Sequence, residues 1–315
     1  MTSLLERLSQ FFTIPLYSLY GMLFILSLLI VATIIVYFKR NKDVELVQRV
    51  TTWWWIISFL FAVLVAGEKT TIIFFSFISF LALKEFLSIV HVRQADRNAI
   101  FWAYLSIPLH YYWIAIGWYG MFIIFIPVYM FLFLPMRMVF KGEVDGFIKS
   151  AGIIHWGLML NVFALSHIAF LATLPIKNTM AGTMGLIIFL IFMTQFNDVC
   201  QYVWGKTVGR QKILPKVSPN KTWGGFLGGL LTISLVATLV APFLTPLSHT
   251  QGLVAGILIS CSGFIGDVVI SSVKRDLQIK DTGSFLPGHG GILDRIDSLL
   301  YTSPLFFHFI YYLHY

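Results

Sequence analysis

Apolar runs separated by short polar breaks fill this chain almost from end to end. Ten stand out, near residues 16–38, 51–66, 70–90, 99–116, 119–135, 150–173, 180–197, 224–246, 252–270 and 299–314. A helix that crosses a bilayer needs about 20 largely apolar residues, and several of these runs are shorter. The runs at 51–66 and 119–135 are the weakest and are open to an interfacial or re-entrant reading, so the pattern predicts eight to ten crossings. The expected fold is therefore an all-α polytopic membrane protein. The first run is too long for the apolar core of a signal peptide and is followed by Tyr-Phe-Lys-Arg-Asn-Lys, so it reads as a retained span. No repeat of 20–50 residues, low-complexity tract or long linker interrupts the series.

Composition sharpens this picture. Of the 315 residues, 58% are hydrophobic and only 11% charged, which excludes an ordinary soluble core. Mean hydropathy is +0.83. Two cysteines, Cys200 and Cys261, do not make a disulfide framework. The net charge of +8 belongs first to the loops. Segments 39–50, 84–97, 136–149, 198–222 and 271–298 carry nineteen of the twenty-two Lys and Arg, whereas the alternating loops carry only Lys69 and Lys177. That alternation fits the positive-inside rule for ten crossings. It predicts that both termini lie outside and that all five basic segments are cytoplasmic. No nucleic-acid partner is expected from this charge.

Two polar inserts, 198–222 and 271–298, therefore share a side, and their chemistry differs. The first has five basic residues, Lys206, Arg210, Lys212, Lys216 and Lys221, and one acid, Asp198. Interleaved Gly, Ser and Thr make it a candidate polyphosphate holder. Its Ser-Pro-Asn-Lys-Thr reads as a tight turn presenting Lys221 and Thr222 at the start of the next helix, where the dipole favours anions. The stretch 267–297 carries five acids, Asp267, Asp276, Asp281, Asp294 and Asp297. If the ninth span extends past the membrane face, Asp267, Ser271 and Lys274 share one side of it. Asp294 and Asp297, three apart, share a face at the start of the last helix. Carboxylates gathered at a membrane border call for a cation, and hard oxygen ligands suit Mg²⁺. Asp294-Arg295-Asp297 also reads as a solvated cap with local ion pairs. Pro-Gly-His-Gly-Gly at 287–291 is a side-chain-poor turn whose amides can approach phosphate, and His289 within it reads equally as a loop histidine. Neither a Walker A sequence nor a Rossmann fingerprint is present. His155 and His167 on the sixth run read as packing residues.

Taken in order, these residues resemble a known signature: Ser271-x-Val273-Lys274-Arg275, Lys280-Asp281-x-Gly283, Leu286-Pro287-x-His289-Gly290-Gly291-Ile292 and Asp294-Arg295-Ile296-Asp297. The pattern is similar to that of phosphatidate cytidylyltransferase, also called CDP-diacylglycerol synthase. Asp198, Tyr202, the Gly205–Gly209 turn and Ser218-Pro219-x-Lys221-Thr222-Trp223 extend the likeness upstream. The first 180 residues match only as hydrophobic spans. Residues 1–180 are thus expected to form the scaffold and lipid groove, and 181–315 the catalytic region of one integral unit. Two positions depart from the family: Gly224 stands where Glu is usual, and Gln201-Tyr202 replaces Ala-Tyr. The chain resembles a bacterial paralogue of the housekeeping enzyme.

The resemblance implies a reaction of CTP with phosphatidic acid, giving CDP-diacylglycerol and pyrophosphate with Mg²⁺, at the cytoplasmic face of a bacterial inner membrane. It implies Asp267, Asp294 and Asp297 as metal ligands, supported by Asp198 and Asp281. Lys206, Arg210, Lys221, Lys274 and Arg275 would hold the triphosphate and the lipid phosphate. Tyr202, Ser218, Thr222 and Arg295 would line the substrate site, and His289 with Gly290 and Gly291 would shape a phosphate turn. Membrane lipids are expected partners, and a homodimer is an assembly open to it. A CTP-dependent kinase of a polyprenol-type lipid needs similar parts plus a base for a hydroxyl. A transporter would place its charges nearer the bilayer midplane, whereas these crowd one border.

Overall fold

The computed structural model describes residues 4–39, 44–283 and 290–315. Each of the ten apolar runs is a helix. After a short amphipathic helix α1 (Leu4–Phe12) come α2 (Leu16–Lys39), α3 (Val44–Val65), α4 (Glu68–Ile89) and α5 (Arg97–Ala115). They are followed by α6 (Tyr119–Val139), α7 (Phe147–Leu171), α8 (Gly182–Thr207), α9 (Trp223–Leu244) and α10 (His249–Asp276). A four-residue helix α11 (Leu293–Ile296) then leads into α12 (Leu299–His314). The protein is an all-α polytopic membrane protein.

Eight of the described helices are long and apolar enough to cross a bilayer, at the lower end of the expected range. The two that fall short are not those the pattern marks as weak. The runs at 51–66 and 119–135 lengthen into α3 and α6, both within the eight. The exceptions are α5 and α12. Helix α5 begins with Arg97-Asn98 and carries His110 among its aromatic residues, which lowers its hydropathy. Helix α12 has 16 residues; at about 1.5 Å per residue it spans roughly 24 Å, less than the hydrocarbon core. Helices α6 and α7 each contain a widened π turn, at Phe125–Met130 and Met159–Ala164. The first includes Pro127, whose missing N–H interrupts the regular ladder. His155 and His167 stack edge-on to Phe131 and Phe122, as packing residues do.

The C-terminal half is bound most closely along α8–α9 and α9–α10. Small residues let these backbones approach. A Cβ on Gly225 would lie 2.6 Å from the Gln201 carbonyl oxygen, and one on Gly256 would lie 2.7 Å from Ser234 Cα. Between α8 and α9 the chain forms an antiparallel hairpin, β1 (Lys212–Leu214) with β2 (Ser218–Thr222). The segment 218–222 is therefore a strand, and the turn lies at 215–217. Helix α8 runs ten residues past the expected end of its span, so Asp198, Tyr202 and Lys206 sit on a helix rather than in a loop. Likewise α10 continues to Asp276, which carries Asp267, Ser271 and Lys274 on one side, as their spacing requires.

Candidate active site

The ends of α8, α9 and α10 and the α11–α12 turn meet in a polar cluster. Glycine steps on α10 decide this meeting. A Cβ on Gly266 would stand 2.5 Å from the Asp297 carbonyl oxygen, so only glycine lets α10 close onto the 297–298 turn. Asp267, next on α10, is thereby brought beside Asp297. The Ser298 hydroxyl donates to Asp198 Oδ2 at 3.0 Å and ties α8 to the same turn. Ser260 Oγ donates to Asn197 Oδ1 at 2.7 Å one step deeper.

Lys221 supplies the cation. Thr222 caps α9, accepting the Gly225 amide at 3.1 Å, and so fixes the strand residue before it. The Lys221 ammonium lies 2.6 Å from Asp267 Oδ2 and 3.2 Å from Gln201 Oε1, and it faces the Phe264 ring at 5.5 Å. Burial works against its charge, but Asp267 and Asp198 outweigh burial and raise its pKa. The Ser271 hydroxyl donates to Asp267 Oδ1 at 3.2 Å. Among the described residues Asp297 makes no such ion pair. Burial, then repulsion from Asp267 and Asp198, pushes its carboxyl well above the usual range. Three carboxylates thus share one lysine.

Asp294 is placed differently. Its Oδ1 accepts from Lys274 Nζ at 2.7 Å. Its Oδ2 accepts from the Thr282 amide at 2.8 Å, the Gly291 amide at 3.0 Å and the Thr282 hydroxyl at 2.9 Å. Burial raises its pKa, but Lys274 and these amides prevail and hold it below the ordinary carboxylate value. Gly290 takes a φ of +79°, and a Cβ there would come within 2.7 Å of Asp294 Oδ2. The turn amides that the sequence offers to phosphate are aimed instead at carboxylates: Gly291 donates to Asp294, and Ile292 and Leu293 donate to Glu85. Glu85, on α4, escaped the sequence reading. Its signal was there, because a carboxylate inside an apolar run needs a partner.

Lys206 lies 4.6 Å above the exposed Tyr202 ring. Arg210 and Asp281 are exposed, and Ser218 is half-buried at the start of β2. Arg275 Nε donates to the Val217 carbonyl at 3.2 Å and tethers the hairpin to α10. His289 lies outside the described residues. Arg295 borders an apolar cavity of about 520 Å³, walled by Trp53, Phe59, Phe74, Ile292 and Leu299 among others. Its Nε has no hydrogen-bond partner among the described residues.

No three carboxylate, histidine or cysteine side chains among the described residues close into a preformed metal cage. Mg²⁺ seldom requires one, since it takes one or two carboxylates plus water and substrate phosphates. The hard-oxygen donors of Asp198, Asp267 and Asp297, short of positive charge, fit that ion. Asp294 already accepts from Lys274 on one oxygen and from the Thr282 and Gly291 amides on the other.

A family model for the cytidylyltransferase family matches residues 47–313. The chain belongs to the cytidylyltransferase family. The "Uncharacterized protein YnbB" of Escherichia coli (strain K12) is 45% identical over 292 residues, covering 91% of this chain and 96% of that protein. The phosphatidate cytidylyltransferase of Bacillus subtilis (strain 168) is 31% identical over 281 residues, 86% of this chain and 98% of the relative. That of Staphylococcus haemolyticus (strain JCSC1435) is 30% identical and covers 82% and 97%. The likeness to phosphatidate cytidylyltransferases thus extends into the N-terminal spans, where the sequence alone offered only hydrophobicity.

Proposed function

We propose that this protein transfers the cytidylyl group of CTP to phosphatidic acid, releasing pyrophosphate and forming CDP-diacylglycerol. The observation that carries the proposal is one juxtaposition. Ile292, Arg295, Ile296 and Leu299, which line the apolar cavity, flank Asp294 and Asp297 in the chain. A lipid with its chains in the cavity would present its phosphate to Arg295, whose Nε has no hydrogen-bond partner among the described residues.

In the reaction an oxygen of the lipid phosphate attacks the α-phosphorus of CTP, and the bond to the bridging oxygen of the β-phosphate breaks. The attacking phosphate is already anionic, so no strong base is required. Work falls on bringing two polyanions together and on neutralising the charge that develops. Lys221, held between Gln201 and Asp267, and Lys206 on the adjoining face would bind the triphosphate. Lys274 would keep Asp294 ionised and the 290–294 turn in place. Asp267 and Asp297, with Asp198 in support, would hold Mg²⁺, which when bound would supply positive charge against the phosphates.

The proposal is tested with purified protein, CTP, dioleoyl phosphatidic acid and Mg²⁺ in detergent, with the lipid product identified by mass spectrometry. CDP-diacylglycerol in equal amount to pyrophosphate is expected, and none in excess chelator. Undiminished product in chelator would remove the metal, and a different lipid product would remove the proposed substrate.

A further inference from the structure

Glu85 lies outside both polar inserts, near the end of α4, yet it grips the segment that contains Asp294. Its Oε1 accepts from the Thr282 hydroxyl at 2.5 Å and from the Leu293 amide at 3.0 Å; its Oε2 accepts from the Ile292 amide at 2.9 Å. The backbone closes over the carboxylate so tightly that a Cβ on Gly291 would overlap it, and one on Gly283 would lie 3.1 Å from Oε2. Thr282 stands between two acids, because its hydroxyl also lies 2.9 Å from Asp294 Oδ2. The hydroxyl has one proton, which the two carboxylates share. Charge-assisted bonds of this kind are the stronger ones, and without Glu85 the first amides of α11 would be left unpaired.

The same segment has a second face. The Ile292 and Ile296 side chains line the apolar cavity, and α4 supplies Phe74, Ile78 and Leu81 to its wall. Ile292 therefore touches the cavity with its side chain and Glu85 with its amide, two residues before Asp294. An occupant of the cavity presses on the piece of chain whose placement Glu85 fixes.

We propose that Glu85 is a positioning residue that couples the apolar cavity to the carboxylate segment. A lipid chain seated against Ile292 and Ile296 sets the placement of Asp294 and Asp297 through the α4–α11 bonds. The coupling rests on reading the cavity as the lipid's seat; the grip of Glu85 on the segment does not.

The test is hydrogen–deuterium exchange of the wild-type protein, Glu85→Gln and Glu85→Asp, with and without dioleoyl phosphatidic acid, followed by kinetics. Without lipid, Glu85→Gln should raise exchange within 290–298 about tenfold, the scale of one lost hydrogen bond. Exchange in 223–244 should stay unchanged, showing that the bundle is intact. Glu85→Asp, which keeps the charge, should recover part of the protection. Lipid should slow exchange within 290–298 in the wild type and not in Glu85→Gln. The turnover number of Glu85→Gln should fall about 10- to 100-fold, with the KM for CTP within about twofold. Equal exchange in wild type and Glu85→Gln would overturn the grip. Lipid protection that persists in Glu85→Gln, or is missing from the wild type, would overturn the coupling. Cytidylyl transfer is judged separately, from the wild-type product.

Discussion

Asp294 serves two demands at once. In sequence it is one of five acids in a polar stretch, and nothing there says that its oxygens meet Lys274, Thr282 and Gly291. That knowledge needs the turn at Gly290 and the length of α10. Asp294→Asn should therefore lower both activity and stability, the latter by roughly 2 kcal/mol, because a charge-assisted acceptor is lost. Thermal unfolding in detergent reads this; an unchanged midpoint would mean that Asp294 is not bound as the geometry has it. Gly224 teaches a related lesson. Its departure from the family pattern suggests a missing carboxylate that a Glu would restore to Lys221. The structure already gives Lys221 two acceptors, Asp267 and the family-atypical Gln201. A Cβ on Gly224 would stand 3.1 Å from the Val208 carbonyl oxygen and from Gly209 Cα. Gly224→Glu should thus fail to raise the turnover number and should destabilise by about 1 kcal/mol or more through overpacking. A faster enzyme of unchanged stability would reverse this reading. Glu85 was hidden for a different reason: its partners lie about 200 positions away, at separations of 197 to 208.

Among the elements, the helices were legible and the hairpin was not. Hydrophobic periodicity in a bilayer protein is strong because the solvent demands it. It marked every long helix, and it misjudged where α3 begins, where α8 and α10 stop and which two helices fall short of a span. Apolar content fades at Asp198, but the helix continues on its own hydrogen bonds to Thr207. Strands β1 and β2 are only three and five residues long, too short for an apolar alternation to betray them. The orientation of these elements remains a proposal drawn from the lopsided distribution of Lys and Arg. Single cysteines at Gln211 and Lys280, with Cys200 and Cys261 replaced, should both be labelled by an impermeant maleimide only from the cytoplasmic side. Labelling of either from outside would break the proposed topology.

At the scale of the whole molecule, α3, α4, α7 and α8 wall an apolar cavity, and α8, α9 and α10 gather three carboxylates around one lysine. The α11 segment belongs to both. Apolar and ionic chemistry thus meet at one border, which suits an enzyme that joins a water-soluble nucleotide to a lipid phosphate. A CTP-dependent lipid kinase would use similar parts, and the two reactions differ in which phosphorus reaches the lipid. The decisive measurement gives the purified protein CTP labelled with ³²P at either the α- or the γ-phosphate, together with phosphatidic acid and Mg²⁺. Label from the α-position should enter the lipid phase while the γ-label leaves as pyrophosphate. Transfer of the γ-label to lipid, or of neither, would contradict cytidylyl transfer by this protein.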